Sequence, residues 1–562
     1  QEEVQHEEDI ANAYSNPFLI VWIGKIIKKE STLDLEKVKE KFVHDVDYEA
    51  QRCLQDFLNT QEVERLMTNL ACLIPFSRDD TNVLKILGED FGIATDKTRE
   101  AIGNLKEAGV LRVIGGSLRF NPDMKGDLYL AYKLEKTSDL KKLERLVKTG
   151  LAASPEKLFT SFESAARYAD IPDLKRILSD IVDFWVKTAE STSDFERIQR
   201  LNLVEKIANV IPQSCLSLLH TYLSSGSLSK DNQRPKVYGL REIAPTTDHY
   251  GPIILKLMKI PSLRKEILEI IYEMDIKNIE GTYDNYKPTS LIQTYVSPLY
   301  NSLHLISSTL NIFSEWLGDS DDSKIKLISA GLSEVLAGSH EYTESTIGKI
   351  IMGEKVLPDD PMIRKMRDHA FGILKKMISH QSLKIKMAGI NIARKIGMTK
   401  MRRVSEKKLP LSRKIVKERS EIVGKIGQLI SSNIDFRLLT EIEDVLLEWW
   451  AQLTPGTSKV EVFLCKIPRN PEYIAFRYFV SPEYAIEDFN SLRKQAPKKD
   501  RWSWFVKTCM NKAFYSKPED FQKLVEALNT KYGTKDRATK FLSYLEKIGA
   551  SSRLANPPII TS

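Results

Sequence analysis

Chemistry needs particular residue types at particular spacings, and most such spacings are missing from these 562 residues. A phosphate cradle of the form Gly-x4-Gly-Lys-Ser/Thr, whose backbone amides and lysine hold nucleotide phosphates, does not occur. The glycine pairs present, Gly115-Gly116 and the spaced Gly348 and Gly353, read as a turn and as helix punctuation. The eight histidines never fall at HxxxH or HExxH spacing, which would put two zinc ligands on one helix face. His369 and His380 can share a face, but their basic surroundings repel a cation. No Gly-x-Ser-x-Gly elbow occurs, and no cysteine lies in a nucleophile setting. The sequence therefore assigns no catalytic residue and no metal ligand. Two features carry the functional reading instead: the step Ser15-Asn16-Pro17 before an apolar run, and a strongly basic segment.

The basic segment lies between Pro361 and Lys425, where 19 Lys and Arg stand against 4 Asp and Glu. The whole chain carries a net charge of only +7, so the excess is local. Arg394, Lys395, Arg402, Arg403, Lys407, Lys408, Arg413 and Lys414 are the candidate contacts to a polyanion or an acidic partner. Aromatic residues for base stacking are missing there apart from Phe371, which disfavours single-strand recognition. A solvated helical face balanced by acidic neighbours is the plain alternative.

The composition, 42% apolar and 28% charged, is that of an ordinary globular chain long enough for several domains. No apolar run approaches the ~18 residues of a membrane span. The five scattered cysteines fit a reducing compartment, so a cytoplasmic protein is expected.

Helical periodicity dominates. Residues 1–60 read as short helices, with Ser15 or Asn16 as a cap, Pro17 in a first turn and Leu35–Phe42 as a second helix. Residues 61–135 change rhythm. Three helices (Val63–Pro75, Val83–Leu87, and one from Thr95 or Asp96 to Gly109) precede two short apolar runs joined by Gly115-Gly116. Both glycines accept positive φ, so these runs form a hairpin, and the whole reads as a winged helix. Residues 136–450 read as paired amphipathic helices, an irregular α-solenoid. In 451–562, Val460–Leu464 suggests a strand before further helices and an extended tail. The expected fold is thus mainly α: a helical lid, a winged-helix domain, a helical-repeat array and a helical cap.

A Ser-x-Pro step in a helical segment, then a winged helix, then a long helical array resembles the C-terminal part of a STAND-type NTPase. The resemblance rests on Ser15-Asn16-Pro17 and on the run Leu87-Gly88-Glu89 through Gly109-Val110-Leu111, Gly115-Gly116 and Leu118-Arg119-Phe120. It implies that Pro17 touches the adenine of ATP or ADP held by an upstream P-loop domain; Ser15 stands where glycine is usual. Asn121 and Asp123 lie where many members carry a nucleotide-sensing His-Asp motif. The array would sense a trigger protein or nucleic acid, and activation would produce a homo-oligomer, in prokaryotic antiphage defence or stress signalling. The start at Gln1, inside the lid, agrees with a larger protein. The alternative is a nucleic-acid-binding regulator using the winged helix or the basic face. The winged helix is a poor candidate for DNA, since residues 61–132 hold 9 Lys and Arg against 11 Asp and Glu.

If the basic segment grips duplex DNA, replacing Arg402, Arg403, Lys407 and Lys408 by Ala flattens the slope of log affinity against log salt by about three to four. Duplex titrations across a salt series check this. A solvated face gives weak binding and no difference.

Overall fold

The computed structural model describes residues 35–468, except 78, 122–123, 138, 225–245, 280, 300, 338, 347–348, 399–411, 432–433 and 453–457, together with Tyr473 and Arg477. The chain is mainly helical and divides into two units, Gln1–Leu291 and Ile292–Ser562, each with its own core. Ser15, Asn16, Pro17 and Asp123, and the C-terminal helices and tail expected beyond Arg477, lie outside the described residues.

In the first unit, α1 (Leu35–Leu54) buries Val43, Val46, Ala50 and Leu54, a stripe at helical spacing, and runs well past the expected Phe42. It packs on α2 (Thr60–Leu73). A capping box starts α2: Glu62 N–H donates to Asn59 Oδ1 at 3.0 Å, and Asn59 N–H donates to Glu62 Oε2 at 2.9 Å. Next come β1 (Phe76–Ser77), α3 (Thr81–Phe91), α4 (Thr95–Glu107), β2 (Leu111–Ile114) and β3 (Ser117–Phe120). The strands form one antiparallel sheet in the order β1-β3-β2, with Phe76 opposite Leu118 and Leu111 opposite Phe120. Gly115 and Gly116 close the hairpin at φ +56° and +82°, a left-handed pair in which side chains with Cβ are disfavoured. Helix α5 (Met124–Lys136) returns across the module onto α1 and α2.

Beyond α5 the helices are α6 (Leu140–Ala153), α7 (Pro155–Ala166), α8 (Pro172–Lys187), α9 (Asp194–Ile207), α10 (Pro212–Ser224), α11 (Thr247–Leu257) and α12 (Arg264–Ile276). Proline opens α7, α8 and α10, where its fixed φ suits a first turn and its missing N–H costs nothing. Each helix packs on the one two places along, giving the rows α7–α9–α11 and α8–α10–α12. Close approach fixes some positions: a Cβ on Gly150 of α6 would sit 2.5 Å from Leu158 of α7.

The division between the units falls inside α13 (Pro288–Val296). The second unit continues with α14 (Leu303–Trp316), α15 (Asp322–Val335), β4 (Ser339–Thr346), β5 (Lys349–Val356), α16 (Pro361–Ile378), α17 (Leu383–Met398), α18 (Ser412–Gly427), α19 (Phe436–Gln452) and α20 (Ser458–Leu464). Its rows are α14–α16–α18–α20 and α15–α17–α19. The pattern in both units is solenoid-like.

Two expectations are corrected here. Gly353 lies in a strand, opposite Tyr342, and does not punctuate a helix; Gly348 lies outside the described residues. Val460–Leu464 is helical, not extended: β-propensity yields to packing, because Val460 is buried and α20 lies against α18 and α19. A Cβ on Gly427 would overlap the Phe463 ring, which shows how close α18 and α20 come.

One guanidinium ties three helices of the second unit together. Arg367 of α16 is fully buried. Its Nη1 donates to the Ala337 carbonyl at 2.9 Å and its Nη2 to the Leu336 carbonyl at 3.1 Å, at the C-terminal end of α15. The same group meets Glu418 of α18 through Nε at 3.3 Å and Nη2 at 2.7 Å. Breaking a buried pair on one side strands the other charge, at a cost of about 3–5 kcal/mol. Arg367→Met should therefore lower the urea midpoint sharply, and adding Glu418→Leu should recover part of the loss. Urea unfolding of the two variants beside the wild type tests this.

Candidate functional site: a charged cleft and a basic helical face

In the first unit, α2, α5 and α6 enclose a cleft of about 270 Å³ with the C-terminal end of α3. Asp90, one residue from the end of α3, is its hub. The Asp90 side chain is only 7% exposed, yet it sits at the negative end of a helix dipole. Cations offset both charges. Arg145 Nε donates to Asp90 Oδ1 at 2.7 Å, and Arg145 Nη2 donates to the Asp90 carbonyl at 2.5 Å. Arg65 Nη2 donates to that same carbonyl at 3.0 Å, and the guanidinium lies 4.3 Å from the Phe91 ring centroid. Asn69 Nδ2 donates to Asp90 Oδ2 at 3.1 Å. Helices α2, α3 and α6 thus meet on one carboxylate.

Lys133 forms the other wall. Its Nζ donates to Asp47 Oδ2 and to Glu64 Oε1, each at 2.7 Å, while the Tyr129 hydroxyl donates to Asp47 Oδ1 at 2.6 Å. Burial alone would lower the Lys133 pKa, but its bonds to Asp47 and Glu64 outweigh that and raise it. Burial, then the Asp47 charge, pushes Tyr129 well above its ordinary value. Leu134, Leu143 and Leu146 supply an apolar lining.

The expected site residues fall in four groups. Asn121 uses its side chain structurally: Nδ2 donates to the Gly109 carbonyl at 3.2 Å, and its N–H donates to Val110 at 3.0 Å, tying the hairpin exit to the end of α4. Arg394 lies 3.8 Å from Glu441 and 3.7 Å from Asp444 of α19, and Lys414 lies 2.5 Å from Asp368 of α16. Lys395 is exposed and makes no ion pair among the described residues. Arg402, Arg403, Lys407 and Lys408, and the Arg413 side chain, lie outside the described residues.

Much of the basic excess is neutralised within the unit. Arg364 pairs with Asp359, Lys375 with Glu421, and Lys384 with Asp322. Phe371 is core, buried beneath Lys375. Exposed Lys376, Lys417 and Lys425 make no ion pair among the described residues. In the α4 and hairpin region, Arg99 pairs with Asp96, and the tip residues Val113 and Ile114 are exposed and apolar.

Among the described residues no group of three or more His, Cys, Asp or Glu could hold a metal, and no helix is long and apolar enough to cross a membrane. Sequence reasoning missed the cleft: its polar residues run from Asp47 to Arg145 with no common spacing. No family model, curated protein or solved structure matches the chain.

Tyr129 and Lys133 both hold their protons more tightly folded than unfolded. Their contribution is complete below the unfolded values near pH 10 and is lost as pH rises through the higher folded values. The denaturation midpoint should therefore fall on the alkaline side of about pH 10. Tyr129→Phe should shallow that fall, as pH-resolved denaturation would show.

Proposed function

We propose that this chain is the nucleotide-regulated switch and trigger-sensing portion of a STAND-type NTPase. One observation carries the reading: a strand follows the first of three helices, a hairpin completes an antiparallel sheet, and α5 leads straight into a two-row helical array. That is the element order expected of a winged helix joined to a sensor. In this reading residues 1–60 are the lid, with Pro17 against the adenine of ATP or ADP bound by an upstream P-loop core. Residues 61–135 are the winged helix, 136–450 the sensor and 451–562 its cap. The exposed apolar hairpin tip and net negative module favour packing within a switch over DNA binding.

The mechanism is a shift between two states. A trigger protein or nucleic acid that binds the array better in an open form moves the population toward it, by no more than its difference in affinity. The open form then assembles. Antiphage defence or stress signalling in a prokaryotic cytoplasm is the setting that the resemblance implies.

Exposed Lys376, Lys395, Lys417 and Lys425 favour a second reading, a regulator that holds nucleic acid on its basic face. The full-length protein, weighed in solution with and without ATP and trigger, separates the two. The switch reading expects a monomer that becomes a defined oligomer only when both are present. A monomer under every condition would sink it, and a reading frame without a P-loop before Gln1 would promote the regulator.

A further inference from the structure

We propose that the cleft around Asp90 is a binding site for a small phosphorylated metabolite. The proposal is independent of the switch reading, since every residue it uses lies between Asp47 and Arg145 of this chain. Four cations, Arg65, Lys133, Lys142 and Arg145, line the cleft against two carboxylates, Glu64 and Asp90. With Asp47, which Lys133 also holds, the balance is positive by one, and a phosphate offers the part-open arginines more acceptor oxygens than a single carboxylate does. Arg145 is about half exposed and Arg65 about one-third, so both guanidinium groups keep part of their donor capacity open while holding Asp90. Arg65 Nε is buried and lacks a hydrogen-bond partner among the described residues; its approach to Asp90 Oδ2 is long, at 3.4 Å.

Lys142 strengthens the case. It is exposed and makes no ion pair among the described residues, so its charge is unspent. Leu134, Leu143 and Leu146 in the same lining are apolar and would meet the organic part of the ligand. A volume of about 270 Å³ is at the small end for ligand pockets, so the occupant is a compact metabolite. Asp90 already occupies the arginines as an internal anion. An external phosphate would compete with it, loosening the contact that holds α3 to α6.

Titration calorimetry of the full chain at low ionic strength tests the site with three probes: inorganic phosphate, phenyl phosphate and benzoate. Phenyl phosphate should bind saturably, at one site, with a dissociation constant below about 1 mM. It should bind more tightly than inorganic phosphate, which lacks the apolar part, and than benzoate, which lacks the second charge. Lys142→Ala with Arg145→Ala should weaken it by about tenfold or more. Asp90→Asn, which removes the internal competitor, should bind it more tightly than wild type. Should Asp90→Asn not fold, exposed Lys142→Ala alone still reads the site. Lys376→Ala on the second unit serves as a control and should bind as wild type does. No saturable heat with either phosphate, or equal losses in the Lys142 and Lys376 variants, would overturn the proposal.

Discussion

Charge that enters the interior of a helical array must be neutralised where it lies, because water cannot reach it. Both units meet this constraint by letting one charged group serve several helices. Asp90 collects Arg65, Asn69 and Arg145 from α2 and α6. Arg367 collects Glu418 and the last carbonyls of α15. Asp444 does the same on α19, meeting Arg394 and Arg477. Around each of these points the packing is apolar, so the polar contact fixes which helices meet while burial of leucine and isoleucine supplies most of the stabilisation. A hub of this kind also has two states available to it, satisfied internally or satisfied by something else, and that makes Asp90 more than a structural pin.

The legible parts of the fold are those with local signals. Gly115-Gly116 marks the hairpin turn through positive φ, and α4 begins and ends close to the expected residues, whereas sequence reasoning missed the caps Asn59 and Asp80. The array helices were readable because their apolar stripes repeat every turn. Strand β1 left no trace, since two residues carry no periodicity and its pairing with β3 is set forty residues later. The β4–β5 ribbon was hidden because β4 is polar nearly throughout, and Gly353 resembles a helix end. Val460–Leu464 misled in the opposite direction, a strand-like composition captured by neighbours on two sides.

For function the limits differ. A sequence counts charges but does not pair them. The basic segment looked like a polyanion surface, yet Asp322, Asp359, Glu441 and Asp444, all outside it, take up several of its cations. The cleft shows the reverse: none of its residues stood out, because Asp47, Asp90, Lys133 and Arg145 come together only once α1, α3, α5 and α6 are folded. A chemical site built from separated helices has no short motif to find.

The two-row packing has a mechanical consequence. When each helix touches mainly those one and two places away, coupling within each unit runs as through a one-dimensional lattice with nearest-neighbour terms. Such an array does not melt as a single block. Damage at one step stays within a few helices, and fraying advances from the end of a row inward. Contacts close in sequence also keep the search short during folding, so the rows can grow from several nuclei at once. Tolerance of local loss, more than peak stability, is what this architecture confers.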